Sequence, residues 1–275
     1  MEAYYMPKIE HIDYAAIDSQ VQEILQNNNG NFPVIVYEKS KGPKHIIYIG
    51  ERHGNDPDDK RFDTIKKYFL QLKPSVILNE GGQQADSIHY KTRDEAITKN
   101  GIQGYLKFLA DQSNIKLLNA DCPDSLEIAS LLRLHESKAI LYFLVIQRFI
   151  PRFISGRHNL KDINYEYDKF MNSYLKSRCK LVFSDSESKW SFFENLYEQN
   201  NEHKKLDLEN FDLSQTENDQ GEFGDILRHS MQIRDFAILN NIFKYLQTHD
   251  KVFIVFGARH LLAQRPTFNN FFNLK

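Results

Sequence analysis

Four short apolar runs, each followed at once by small or polar residues, constrain this chain more than any other feature. They are HIIYIG (45–50), SVILNE (75–80), IKLLNA (115–120) and KVFIVFG (251–257). Each is apolar, too short for a full helix, and followed by small or polar residues, which is how strands buried on both faces read. Strands of that kind belong to parallel sheets. A further run, PVIVYEK (33–39), is separated from the first by SKGP, a turn signal that predicts a hairpin and an antiparallel edge strand. Helical spacing fills the gaps: Phe62, Ile65, Tyr68, Phe69 and Leu72 within 59–72, and Leu106 and Leu109 within 102–112. Alternation of strand and helix implies right-handed crossovers, which bring the strand ends to one edge. The expectation is an α/β fold with a mostly parallel or mixed central sheet, flanking helices and a helical insertion.

The insertion is expected at 125–224, within a single domain spanning 1–275. From Ser125 to about Lys180 the chain becomes helical and aromatic, through LEIASLLRLHESKAILYFLVIQRF and YEYDKFMNSYLKS, and Asp124 and Ser125 are suitable N-cap types. Its aromatics read first as core, with a homodimer interface or a hydrophobic substrate pocket as the other uses. Residues 200–224 are polar and read as a mobile loop. After them Ile226, Met231, Ile233, Ala237, Ile238, Ile242, Phe243 and Leu246 mark an amphipathic helix leading into the last strand.

Composition removes several classes of function. A net charge of −2 gives no field to hold a polyanion, so nucleic acid is not an expected partner. The longest apolar run, 139–146, falls far short of the roughly 20 residues a membrane span needs. Met1 to Asp18 carries Glu2, Lys8, Glu10 and Asp13 and does not read as a secretory signal. Cys122 and Cys179 stand far apart, so neither a disulfide framework nor a thiolate zinc site is indicated. A cytoplasmic protein acting on a small molecule or peptide is the expectation.

Two of the strands end in the same pattern, Gly50-Glu51-Arg52-His53 and Gly257-Ala258-Arg259-His260. With 12 glycines and 10 histidines in 275 residues, chance gives a Gly-x-x-His roughly 0.4 times, so placement carries the weight. Ligands of open α/β sheets bind outside the carboxyl ends of the strands, and four such ends present His53, Glu80, Asp121 and His260. Imidazole nitrogen with carboxylate oxygen suits Mn, Zn, Co or Fe, and such a divalent ion would activate water for hydrolysis. Without metal, one histidine would serve as general base with Glu80 as its orienter or proton shuttle. Asp121, followed by Cys122-Pro123-Asp124, could instead turn the chain. Arg52 and Arg259 are candidates for an anionic or carbonyl group of the substrate. Arg234 with Asp235 reads from pattern alone as a helix-surface pair, and His11, His89 and His229 read as structural or exposed.

The paired Gly-x-x-His motifs, the acidic strand end between them and an arginine-bearing helix before the second motif resemble the superfamily of TIKI proteases, TraB/PrgY/GumN proteins, ChaN-like haem-binding proteins and erythromycin esterases. The resemblance covers residues 45–82 and 228–265. It assigns the first motif to Gly50 and His53, the acid to Glu80, the helix arginine to Arg234 and the second motif to Gly257 and His260; Glu51 and Gly54 are similar to the esterase branch. It implies a hydrolase of amide or ester bonds, with His53, Glu80, His260 and Arg234 catalytic; Glu51 joins Arg52 and Arg259 as the residues expected at the substrate. The TIKI branch implies a metal-dependent peptidase; on the strand-end reading the divalent ion would sit on His53, Glu80, Asp121 and His260. The esterase branch implies metal-independent chemistry, and the ChaN-like branch implies small-molecule or haem binding without turnover. Unlike the esterase branch, this chain lacks the extra residue between Glu51 and His53 and carries Asn79 before Glu80.

Overall fold

The computed structural model describes residues 12–154, 158–211 and 221–273. His11 and residues 212–220 of the expected loop lie outside the described residues. The chain divides into two compact units, Met1–Asp121 with Arg234–Lys275, and Cys122–Ile233.

The first unit is built on five strands: β1 (Ile35–Lys41), β2 (Lys44–Glu51), β3 (Val76–Asn79), β4 (Lys116–Asn119) and β5 (Lys251–Gly257), in the spatial order β1-β2-β5-β3-β4. β1 is the antiparallel edge strand, joined to β2 by the two residues Gly42-Pro43, with Gly42 at φ +57° supplying the left-handed turn. The other pairings are parallel. The sheet is therefore mixed. β5, last in sequence, sits between β2 and β3, so its carboxyl end lies among those of the earlier strands.

Both sheet faces are covered, which explains the unbroken apolar runs. Ile46, Tyr48, Val76, Leu78, Val252, Ile254 and Phe256 point to one face. There they meet Ile238, Leu239, Ile242 and Phe243 of helix Gly221–Thr248, and Leu261 and Phe268 of helix Ala258–Asn273. The alternate residues Ile47, Ile49, Ile77, Phe253 and Val255 meet the helices Arg61–Leu72 and Arg93–Ser113. Arg61–Leu72 stops where Lys73 turns left-handed (φ 50°) ahead of Pro74. Arg93–Ser113 begins nine residues earlier than the pattern 102–112 suggested. Thr92 caps it by accepting from the Glu95 N–H at 3.1 Å, but non-helical backbone at Asn100 and Gly101 breaks the period.

The free side of β4 is not left open. Ala120 N–H bonds Asn79 O on β3, so Leu117 and Asn119 direct their backbone groups the other way. There the Gln83 amide donates to Leu117 O and accepts from Asn119 N–H, both at 2.9 Å.

The second unit is helical, with an aromatic core in which Phe149 packs against Phe153, Tyr167, Phe170 and Trp190. Two stretches, Val145–Phe149 and Phe170–Arg178, are π-helical. The helix expected to be capped by Asp124 or Ser125 starts at Asp124 itself, after Pro123, with no side-chain cap. Asp124 accepts instead from Arg148 at 2.8 Å. Residues 201–211 are irregular as expected, yet Leu206, Leu208 and Phe211 pack on the aromatic core, so apolar contacts tie this part of the polar segment down. Both cysteines are free and buried. Among the described residues no helix is long and apolar enough to cross a membrane.

Candidate active site

Parallel register fixes where the reactive residues stand. Glu51 at the end of β2 lies beside Gly257 at the end of β5, and Asn79 on β3 lies between Val255 and Asn119. His53 therefore follows β2 by two residues, Glu80 follows β3 by one and Asp121 follows β4 by two. His260 sits in the first turn of the helix that leaves β5. Two glycines make this close convergence achievable. A Cβ on Gly50 would stand 2.9 Å from Leu261 Cδ2 and 3.0 Å from Ala258 Cα, and one on Gly257 would lie 3.3 Å from Glu80 Oε2 and 3.7 Å from His53 Nε2.

Glu80 is the centre of the cluster. Its Oε2 accepts from the Gly257 N–H at 2.8 Å and its Oε1 from Arg234 at 3.1 Å. His53 Nε2 is 3.5 Å from Oε2, and His260 Nε2 is 3.5 Å from Oε1. Each imidazole is held from behind by a buried carboxylate: His53 Nδ1–H donates to Glu51 and His260 Nδ1–H to Asp235, both at 2.7 Å. The Glu51 and Asp235 side chains are 0% and 2% exposed, whereas His53 is 57% exposed and His260 13%. The two histidines thus form two carboxylate–imidazole dyads that present Nε2 to opposite oxygens of one acid, one dyad at the surface and the other inside.

A second set of bonds secures the dyads. Asp235 accepts from Tyr14 O–H at 2.8 Å and from the Gln264 Nε2 amide at 2.7 Å, and Tyr48 O–H donates to Gln264 Oε1 at 3.2 Å. Arg61 reaches Glu51 at 3.4 Å and also pairs with Asp59. Asp121 turns to the arginine: both its oxygens accept from Arg234 at 3.1 Å, and it accepts from Gly81 N–H. Asp121 anchors Arg234, which in turn faces Glu80.

These contacts shift the protonation of the site. The hydrogen bond to Glu51, reinforced by Glu80, raises His53 to about 10. Burial opposes charge on His260, but Asp235 and Glu80 outweigh it and raise that group to about 9. Burial alone would push Glu80 up; His260, His53 and Arg234 hold it well below the usual carboxylate range. Both imidazoles are thus protonated and Glu80 ionised at neutral pH. Desolvating this many charges is costly, and buried ion pairs are weak stabilisers compared with apolar packing. Strongly perturbed groups converging at strand ends instead fit a reactive site.

The structure separates the expected residues into groups. His53, Glu80, His260 and Arg234 come together. Glu51 has no exposed carboxylate, so it orients His53 and does not meet a substrate. Arg259 pairs with Asp18 on the helix Tyr14–Asn27, away from Glu80. Arg52 is exposed. Asp235 was missed as a site residue, although its place three, four and seven residues before Ile238, Leu239 and Ile242 sets it on the apolar stripe of its helix. The Gly-x-x-His spacing also occurs at Gly42–His45, at the opposite end of β2, where His45 meets Glu38 on β1; placement, not spacing, distinguishes the other two. His89 pairs with Asp111, and in the helical unit His229 pairs with His135.

Imidazole and carboxylate are apt donors for Mn, Zn, Co or Fe, but their arrangement does not fit a resident cation. Among the described residues no three His, Cys, Asp or Glu side chains form a group that could hold one. The Arg234 guanidinium already lies against Glu80 and Asp121, where a dication would have to share both acids with it. No protein-family model matches the chain, and neither curated proteins nor solved structures give a match.

Proposed function

We propose that this chain is a hydrolase of ester or amide bonds that works by acid–base chemistry of His53, Glu80 and His260. The observation that carries the reading is the pair of dyads: each Nδ1 is committed to a buried carboxylate at 2.7 Å, leaving each Nε2 directed at Glu80. A carboxylate behind an imidazole fixes its tautomer and supports its charged form, the logic of acid–base dyads on unrelated folds.

In the reaction, water held at Glu80 attacks the acyl carbon and forms the new C–O bond while its proton passes to Glu80. Arg234 and the His260 imidazolium offset the negative charge on the acyl oxygen. His53, protonated and exposed, donates its Nε2 proton to the leaving oxygen or nitrogen as that bond to carbon breaks. The proton on Glu80 then crosses the 3.5 Å to His53 Nε2 and restores the starting state. An ionised acid central to the site also favours turnover over haem binding, which would call for an apolar slot.

The test is hydrolysis of p-nitrophenyl esters and p-nitroanilide amides, in chelator and with added Mn or Zn. Chelator-resistant turnover that falls by about 10²–10⁴ in His53→Ala is expected from loss of a positioned proton donor. Turnover that appears only with added metal would replace this reading with the metallohydrolase. Absence of turnover under every condition would leave a binding protein.

A further inference from the structure

The sheet unit carries a cavity of about 560 Å³ whose lining includes Phe32, Pro33, Val34, Arg52, Lys60 and Arg61. The volume falls in the range of small-molecule sites. Its walls are of two kinds. Phe32, Pro33 and Val34 give an apolar side. The lining also holds three cations and one carboxylate, and the carboxylate is already engaged: Asp59 pairs with Arg61, whose guanidinium also reaches Glu51. Arg52 and Lys60 make no ion pair among the described residues, so the cavity holds two cationic groups without a counter-charge.

This cavity is joined to the reactive dyad. Arg52 precedes His53 in the chain, and Arg61 lines the cavity while bonding the carboxylate that orients His53. We propose that the cavity is a subsite for an organic anion, a carboxylate or phosphate head on a small apolar body, with the head on Arg52 and Lys60 and the body against Phe32, Pro33 and Val34. A molecule anchored there extends its other end toward the exposed His53 imidazole. The substrate class is then an acidic ester or amide, an assignment that rests on the hydrolase reading; binding of the anion itself does not.

The experiment is a ligand-detected NMR titration of the full chain with phenylacetate, phenyl phosphate and the neutral isostere phenylacetamide. Both anions are expected to bind at least tenfold more tightly than the amide. Arg52→Ala and Lys60→Ala are each expected to weaken the anions about tenfold, as loss of one charged hydrogen bond does. Arg52→Lys, which keeps the charge, should recover part of the loss, and the stronger of the two heads identifies the natural acid. Equal binding of anion and amide, or unchanged binding in the double alanine variant, overturns the subsite. His53→Ala separates the two readings. If it retains anion binding while ester turnover is lost, both stand. If anions bind through Arg52 and Lys60 but no ester is cleaved by the wild type, only the hydrolase reading fails. If neutral esters are cleaved through His53 and anions do not bind, only the subsite fails.

Discussion

Each unit of this protein encloses its own charged network, and the two differ in the kind of proton they hold. In the helical unit Arg148 forms a two-pronged pair with Glu127 at 2.6 and 2.7 Å and bonds Asp124 at 2.8 Å. Tyr174 donates to Asp124 and Ser230 to Glu127. Burial works against the charge on Arg148, but Glu127 more than restores it, and burial raises Tyr174 further from its ordinary range. Every shift there moves a group away from titration at accessible pH. In the sheet unit the bases are imidazoles, brought to about 10 and 9, and one of them faces solvent. Buried charge alone therefore does not mark function; a proton that can leave, at a group a reactant can reach, does.

The largest effect that would break this contrast is kinetic. His53→Ala should lower ester turnover by about 10²–10⁴, and in the wild type kcat/KM should fall as pH rises through about 10, where His53 loses the proton it donates. A rate that climbs through that range would make neutral imidazole the active form. Next comes Arg148→Ala in the other network, expected to cost about 3–5 kcal/mol by leaving Glu127 uncompensated, read from urea unfolding. A loss under 1 kcal/mol would show that network to be solvated and the comparison misplaced.

Stability against pH sharpens the difference further. Because the folded-state values of His53 and His260 are raised, their contribution is complete below about 6.5 and disappears as pH rises through 9 to 10. Unfolding free energy should therefore decline above pH 7, by up to about 1.4 kcal/mol per pH unit for the proton on the largely buried His260, with a much smaller share from His53, which is 57% exposed and screened by solvent. His260→Gln should remove one proton from that slope, and an unchanged slope would place the titration elsewhere. Glu80, depressed, acts in the other direction, adding stability above about 4.5 that acid removes. The smallest effect belongs to Arg259→Ala: its pair with Asp18 is part-exposed, so a stability change within about 1 kcal/mol is expected. A larger loss would give Arg259 a structural part in the site.

Much of the sheet unit was legible because its signals are local. Apolar runs ending in glycine or acid gave the strands, the Gly42-Pro43 turn gave the hairpin, and strand-end placement gave His53, Glu80 and His260. Strand order was not legible, since nothing in KVFIVFG says that β5 enters between β2 and β3. Partners set by tertiary packing were also out of reach. Arg234 and Asp235, adjacent in sequence, read as a surface ion pair, yet one reaches Glu80 and Asp121 and the other His260, Gln264 and Tyr14. The position of Asp235 on an apolar stripe was the local hint, and Arg234 entered through the family resemblance alone. The start at Arg93 was hidden because Asn100 and Gly101 interrupt the periodicity that reveals helices.

The Gln83 amide on the outer side of β4 has a consequence for how this molecule behaves among copies of itself. An edge strand with free N–H and C=O groups is a template on which another chain can add. Here a single side chain imitates the missing neighbour on Leu117 and Asn119, while β1 at the other border carries charge at Glu38, Lys39 and Lys41. The sheet is self-terminating. Its growth is stopped at one border by a borrowed amide and discouraged at the other by charge, so crowding alone gives strand-to-strand stacking little purchase.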